Sequence, residues 1–452
     1  MKKIIMAASI AAAMVIPAAH AGVTIYGKMH ASIDYTDVAL GYGVSYYVDL
    51  DGTRVDDDNF SGPLGDEQMW GVNSRASRIG FKGTEDLGNG LSLVWKAETG
   101  YDIADGGAWG GARNAYIGLA GDWGTFLYGI HDTPYKMSTG RLDPFADTAA
   151  DFNAPTDFGM FTTNMFSFQD VRAENAIAYV SPNMNGLTFA AAIVPGEGAA
   201  SYSAFVPSAF PGDDSDCIID HDFCFDIDED IHDGLADAYS VAAMYENNGL
   251  YLSAAYESLP THSTSWGFDG SSFSLPTRQQ DKYRLGAGYT MNNLTINGVY
   301  ENRTRDFGSI SIFEYDQKLE ADSDIWQVSA VYTFGNSALK LAYGQGDMSL
   351  AMSESNLGET YSAFDYTGDL DGDLDAAKLE LYGEQEVISV GLEHNFSKRT
   401  KVYALYTMQE ADLGIKGSAQ GTDDGAGPFD VGGDAHLTAE NDTFSMGMIH
   451  SF

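Results

Sequence analysis

The last ten residues, 443–452, constrain the fold most. Phe444, Met446, Met448, His450 and Phe452 fall on one face of an extended strand. Thr443, Ser445, Gly447 and Ser451 fall on the other, with Ile449 the one apolar exception. Period-two alternation reads as a strand with one apolar and one wet face. A closing strand of this kind suits a membrane β-barrel, with lipid outside and water inside. An edge strand of a soluble sandwich carries the same pattern, so the rest of the chain has to decide.

The N-terminus speaks to compartment. Lys2 and Lys3 precede an apolar run from Ile4 to Ala19, broken by Pro17, and Ala19-His20-Ala21 is a small-residue cleavage site. Residues 1–21 read as a secretory signal peptide, leaving residues 22–452 as the mature domain. A retained membrane anchor is the alternative, and the short apolar run and the cleavage site argue against it. No later stretch offers the roughly 20 apolar residues that a spanning helix needs. An exported chain is then either soluble outside the cytoplasm or a barrel, since only helices and closed barrels satisfy every backbone group in lipid.

Composition leans towards the barrel. Aromatic residues make up 12% of the chain, with 26 Tyr, 24 Phe and only 2 Cys, as barrels with aromatic girdles require. The mature chain would carry 22 basic and 65 acidic residues, net −43. Nucleic acid is excluded as a partner, because phosphate binding needs clustered Lys and Arg. So acidic a chain is tolerable when its charge lies on exposed loops and is screened by salt or divalent cations.

The rhythm of turns gives the topology. Tight turns fall at residues 86–90, 121–124, 182–186, 247–249, 292–293, 335–337 and 396–399. Asn-Gly pairs supply positive φ where it is needed. Longer segments fall at 36–73, 104–112, 133–172, 197–236, 259–281, 304–322, 347–385 and 411–440. Strands on both sides of each turn add up to sixteen, in an all-β, antiparallel transmembrane barrel. Short periplasmic turns alternate with long extracellular loops. Charges share the wet face of the first strands: Lys28 and Asp34, then Lys96 and Glu98. That pattern expects a wide, water-filled lumen.

Three motifs carry a family resemblance. Residues 77–91 (SRIGFKGTEDLGNGL), 172–182 (RAENAIAYVSP) and 396–400 (FSKRT) resemble strand and turn motifs of the general porins of Gram-negative bacterial outer membranes. The resemblance covers the whole mature chain. It implies a homotrimer of sixteen-stranded barrels in outer-membrane lipid and lipopolysaccharide, with the third long loop folded into the lumen. It implies that Phe452 is the signal read by the barrel-assembly machinery during insertion. It implies a diffusion channel for small hydrophilic solutes, with no cofactor and no catalysis. No G-x-S-x-G or H-E-x-x-H signature is present.

The expected constriction sets a basic wall of Lys28, Arg78, Lys82, Arg113 and Arg172 against Asp143, Asp147 and Asp151 of the third loop. A pore selects by the charges of its narrowest ring. Each Arg could instead simply hold a neighbouring carboxylate in place, and Asp143, preceding Pro144, could simply start a turn. Many members of the family carry Gly-Arg at the end of the fifth strand, where this chain has Gly129-Ile130. With one basic residue missing and a strongly acidic chain, the expectation is a weak cation preference. A substrate-specific channel for a sugar or organic acid is the neighbouring reading. A calcium-binding surface anchor is the reading from another class.

One loop stands apart. Cys217 and Cys224 sit among ten acidic residues between 212 and 234. In an oxidising compartment they are expected to form a disulfide. Asp220, Asp222, Asp226 and Asp228 are candidate oxygen ligands for Ca²⁺. They match no complete EF-hand loop, so a solvated acidic surface is the alternative.

Overall fold

In the computed structural model, the polypeptide crosses a single closed sheet sixteen times. Residues 22–50, 53–106, 110, 112–154, 156–157, 162–163, 167–196, 223–225, 234–268, 271–312, 315–355, 372–423 and 427–452 are described. The proposed signal peptide, Cys217 and the four candidate calcium ligands lie outside them. Cys224 is described only in its backbone, in a short strand Phe223–Phe225.

The wall strands are β1 (Thr24–Leu50), β2 (in two pieces, Thr53–Ser74 and Arg78–Gly88), β3 (Leu91–Gly100), β4 (Ala112–Gly121) and β5 (Gly124–Asp132). After the third loop come β6 (Arg172–Val180), β7 (Leu187–Val194), β8 (Ala238–Asn247), β9 (Leu250–Phe268) and β10 (Ser271–Met291). β11 (Leu294–Ile312), β12 (Tyr315–Phe334), β13 (Ser337–Ser355), β14 (Gly372–Asn395), β15 (Thr400–Asp423) and β16 (Gly427–Ser451) complete the circuit. Each strand pairs antiparallel with its neighbours, and β16 returns to β1 from Lys28↔Ser451 to Leu50↔Phe429. No edge remains for lipid to strip of hydrogen bonds.

The closing strand keeps its expected faces. Phe444, Met446, Met448 and Phe452 are exposed on the outside, while Thr443 and Ser445 are buried on the lumen side. The apolar exception, Ile449, faces inward and is 7% exposed. It packs with Phe145, Tyr403 and Leu405 beneath the third loop. Phe452 closes the seam: its N–H donates to Gly27 O and its carbonyl accepts from Gly27 N, both at 3.1 Å. Its ring lies where a Cβ on Gly27 would stand, so only glycine fits there.

The structure corrects the expected loops. Residues 36–73 are mostly a hairpin: β1 runs on to Leu50, and β2 pairs with it from Leu50↔Thr53 to Ala31↔Ser74. Most of 259–281, 304–322 and 411–440, and both ends of 347–385, are also strand. Beyond the membrane both faces of a strand are wet, so period two fades from the sequence although the ladder continues. Strands β3 to β8 run only 8–10 residues, against 19–27 for β1 and β9 to β16. The rim is therefore tall on one flank and low on the other.

β2 breaks at residues 75–77, where Ala76 has φ 48°. Ser77 Oγ bridges the gap, accepting from His30 N and donating to His30 O. The break turns Arg75 inward to Asp34 (2.5 Å), which is why it sits one register off the other wall cations.

Outside, aromatic side chains of adjacent strands meet at the upper border: Tyr35 with Trp70, Tyr283 with Tyr300, Trp326 with Tyr343. Carboxylates follow directly. Tyr256 donates to Asp281 at 2.8 Å and Tyr300 to Asp324, while Tyr382, farther out than Glu384 and Glu386, donates to Asp434 at 3.0 Å.

Deleting Phe452 removes both seam hydrogen bonds and the ring over Gly27. The amount of folded, outer-membrane protein is expected to fall several-fold, with unit conductance of the surviving channels unchanged. Quantifying the heat-modifiable folded band checks this, and wild-type levels would contradict it.

Candidate functional site: the lumen constriction

The described residues of the segment 133–171 leave the end of β5 and fold into the barrel. A single helical turn, α1 (Pro134–Thr139), starts the loop. Pro134 opens it, and Thr133 caps it by accepting from Lys136 N.

One charge cluster clips both ends of the loop. Arg284 of β10 and Glu301 of β11 are direct cross-strand partners, wholly buried and 2.5 Å apart. On the outgoing limb, Tyr135 donates its hydroxyl to Glu301 (2.7 Å), and Thr139 accepts from Arg284 (2.8 Å). On the returning limb, Asp170 pairs with Arg284 (2.6 Å), and Lys282 donates to Gln169 O (2.7 Å). Lys282 is paired with Glu257 (2.8 Å). The Arg284 guanidinium also lies over the Tyr135 ring at 4.3 Å.

Small inward side chains make room for this docking. A Cβ on Gly286 would meet Ser253, Leu142 and Thr139. Further along, Lys340 of β13 donates to Pro144 O (2.8 Å) and pairs with Glu393 (2.8 Å). At the far end Asp147 reaches β1 and β2, pairing with Lys28 (2.5 Å) and Arg78 (3.4 Å). The loop thus lines the lumen from β8 round to β1. The passage that is left runs along the β1–β6 wall.

That wall carries partly exposed cations, three of them over one recessed carboxylate. Glu98 is 5% exposed. It accepts from Arg113 (2.6 Å) and Tyr26 (2.7 Å), with Lys96 at 3.3 Å and Arg78 at 4.0 Å. Asp132 is held by Arg172 (2.9 Å), Asn114 (2.8 Å) and Lys136 (3.8 Å). Lys82 is exposed, opposite Lys96, with its ammonium over the Tyr26 ring at 5.2 Å. Seven basic residues (Lys28, Arg78, Lys82, Lys96, Arg113, Lys136, Arg172) therefore surround three acids (Glu98, Asp132, Asp147).

The three loop acids separate. Asp147 alone reaches the basic wall. Asp143 turns back into the loop, accepting from Phe145 N (2.7 Å) and Phe152 N (3.3 Å), as a turn-starting Asp does. Asp151 accepts from Asp147 N (2.6 Å) and Asn153 N (2.8 Å). Burial, then the neighbouring Asp151 carboxylate, pushes the Asp143 carboxyl well above its ordinary value. Burial also raises Asp151. For Asp147 burial is outweighed by Lys28 and Arg78, and its carboxyl lies below the usual value. Among the described residues no group of three or more His, Cys, Asp or Glu is arranged to hold a metal ion.

The sequence reading missed Lys96, Glu98 and Asp132 as members of the ring, and the whole Arg284–Glu301 clip. A signal was present: Lys282 and Arg284, then Glu301, Arg303 and Arg305, place charges at every second position of two adjacent strands. Such ladders mark one wet face, and opposite charges pair across strands.

With this architecture in view, the comparisons decide the family. The Gram-negative porin family model matches residues 4–414. The chain belongs to the Gram-negative porins. It is 26% identical over 411 residues to the major outer membrane protein P.IB of Neisseria gonorrhoeae, covering 88% of this chain and 91% of that protein. It is 23% identical over 418 residues to major outer membrane protein P.IA of Neisseria meningitidis serogroup B, strain H44/76, covering 88% and 92%. Among solved structures, the anion-selective porin from Comamonas acidovorans aligns with a TM-score of 0.53 at 18% identity, over 96% of this chain and 100% of that one. This porin is a β-barrel channel of the bacterial outer membrane.

Two outcomes follow from the buried charges. Glu301→Ala leaves Arg284 and Arg303 without their shared carboxylate and is expected to cost about 3–5 kcal/mol in denaturant unfolding. Asp143→Asn keeps an acceptor for Phe145 N while removing the carboxylate. A raised native-state value means that the wild type loses stability as pH climbs above the ordinary carboxyl value of 3.8. The variant should therefore be the more stable at neutral pH, and the difference should vanish below pH 3.8. A constant difference across that range would contradict the assignment.

Proposed function

We propose that this porin is a general diffusion channel for small hydrophilic solutes whose constriction favours anions. The observation that carries the proposal is the depth of the charges: Glu98 is recessed beneath Arg113, Lys96 and Arg78, so a solute in the passage meets cations first. Selectivity follows the charges lining the narrowest ring, and low-dielectric walls focus their field.

The weak cation preference expected from the sequence rests on net charge. Much of that charge stands away from the passage. Glu384 and Glu386 flank the buried, inward Gln385, and Glu440 and Asp442 flank inward Asn441, so these acids face outward. Acidic extracellular segments would still enrich cations at the mouth, and that supports the competing reading. The solved Comamonas porin described as anion-selective is similar in fold.

A homotrimer in outer-membrane lipid and lipopolysaccharide completes the proposal. The family suggests it, and the low flank of β3 to β8 suits it. Its strands of 8–10 residues are at the short limit for crossing lipid, about 9–11 residues. Cleavage after Ala21, insertion by the barrel-assembly machinery through Phe452 and a Cys217–Cys224 disulfide belong to the same reading.

Reversal potentials across a planar bilayer under a KCl gradient test the selectivity. An anion-directed potential is expected, and a cation-directed one would return the net-charge reading. Arg113→Gln is expected to reduce the anion preference several-fold without closing the channel.

A further inference from the structure

The inner wall is not charged all the way round. Inward positions 342–350 of β13, 381–389 of β14, 407–415 of β15, 435–443 of β16 and 36–44 of β1 line up in cross-strand rows, and none of them holds a charged residue. Composition does not account for this. The outward positions of the same stretches hold Asp347, Glu384, Glu386, Glu410, Asp412 and Glu440.

This face changes character with height. Its upper rows are apolar: Met348, Leu413 and Leu437 share one row. Val38, Met348, Ala411 and Ala439 pack together there, with Leu40 and Leu413 against them. Leu437 is still 38% exposed to the vestibule. One row lower, a chamber opens between the wall and the back of the third loop. Gln327, Gln385 and Gln409 line it, Gly344 and Gly346 leave room for it, and Asp151 borders it from the loop. Its volume is about 40 Å³, where one water needs roughly 10–15 Å³.

We propose that this face is a binding site for small uncharged solutes that carry an amide beside a branched aliphatic group. The amide enters the chamber at Gln385, and the aliphatic group lies on Met348, Leu413 and Leu437. The two rows are two residues apart, about 7 Å along a strand, which suits the span of such a molecule. Glutamine amides donate and accept without bringing charge. They replace the solute's hydrogen bonds to water at little net gain, so the apolar contact supplies most of the affinity. A carboxylate in the same place would meet Asp151 and no cation. The two Asp151 oxygens already accept from Asp147 N and Asn153 N. The proposal rests on the channel reading above, but not on which ion the constriction favours.

Saturation-transfer NMR over the channel in lipid nanodiscs, with empty nanodiscs subtracted, tests the site with three probes. N-acetyl-leucinamide is expected to bind several-fold more tightly than N-acetylglycinamide, which lacks the aliphatic group, and than N-acetyl-leucine, which carries a carboxylate. Leu413→Ser combined with Leu437→Ser should remove the advantage over N-acetylglycinamide. Gln385→Met should weaken both amides several-fold.

Equal binding of the three probes would overturn the proposal, and so would wild-type binding by the double leucine variant. Should that variant not fold, Leu437→Ser alone, at an exposed position, decides the same point. Wild-type binding by Gln385→Met would overturn the placement of the amide. A protein that conducts no KCl across a planar bilayer fails as a channel, whereas a conducting channel indifferent to the probes fails only at this site.

Discussion

Everything in this molecule follows from the absence of water in the bilayer core. A backbone crossing it has to pair every N–H and C=O within the protein, and a sheet can do so only by closing on itself. The pairing of β16 with β1, sealed by Phe452 and Gly27, is that closure. Once sixteen strands are closed, the bore is fixed by geometry and is too wide to choose among small solutes. Choice has to be added from inside.

The third loop adds it, and it can do so only because the wall was prepared to receive it. Glycine at 286, together with Ser240 and Ser253, leaves a shallow bed for the loop to occupy. Arg284 and Glu301 then hold both limbs at one point. Burying so many charges is expensive unless each is paired, and here Arg284 pairs with Glu301 and Asp170, and Lys282 with Glu257, although Glu301 Oε1 and both Glu257 carboxylate oxygens lack a hydrogen-bond partner. This cluster adds less to net stability than to defining one position for the loop. The opposite wall is left to the solute, with Arg113, Lys96 and Arg78 forward of the recessed Glu98.

Much of the fold was legible in the sequence. The closing strand's alternation, the tight turns and the sixteen crossings are direct imprints of lipid on one face and water on the other. Legibility ended where that contrast ended. Beyond the membrane β1 and β2 continue as a paired hairpin, but both faces are wet and the pattern dissolves. At the constriction, residue types were readable and depths were not. Arg78 and Arg113 looked like pore cations, yet nothing in their spacing showed Glu98 lying beneath them. Asp143 and Asp147 read alike as loop acids, although one caps a turn and the other crosses to the far wall. Ile449 looked like an irregularity, and it became intelligible only once Phe145 was found resting on it.

The tyrosine–carboxylate pairs on the outer surface have a mechanical consequence. Asp281 and Asp324 stand immediately beyond the girdle aromatics that donate to them. Moving the barrel inward by two residues along its strands would drag this row of carboxylates into hydrocarbon. Moving it outward would pull the girdle rings from the interface they favour. The two rows together act as a depth gauge. They fix the height at which the loop's constriction sits relative to the leaflets, however far the tall flank projects above them.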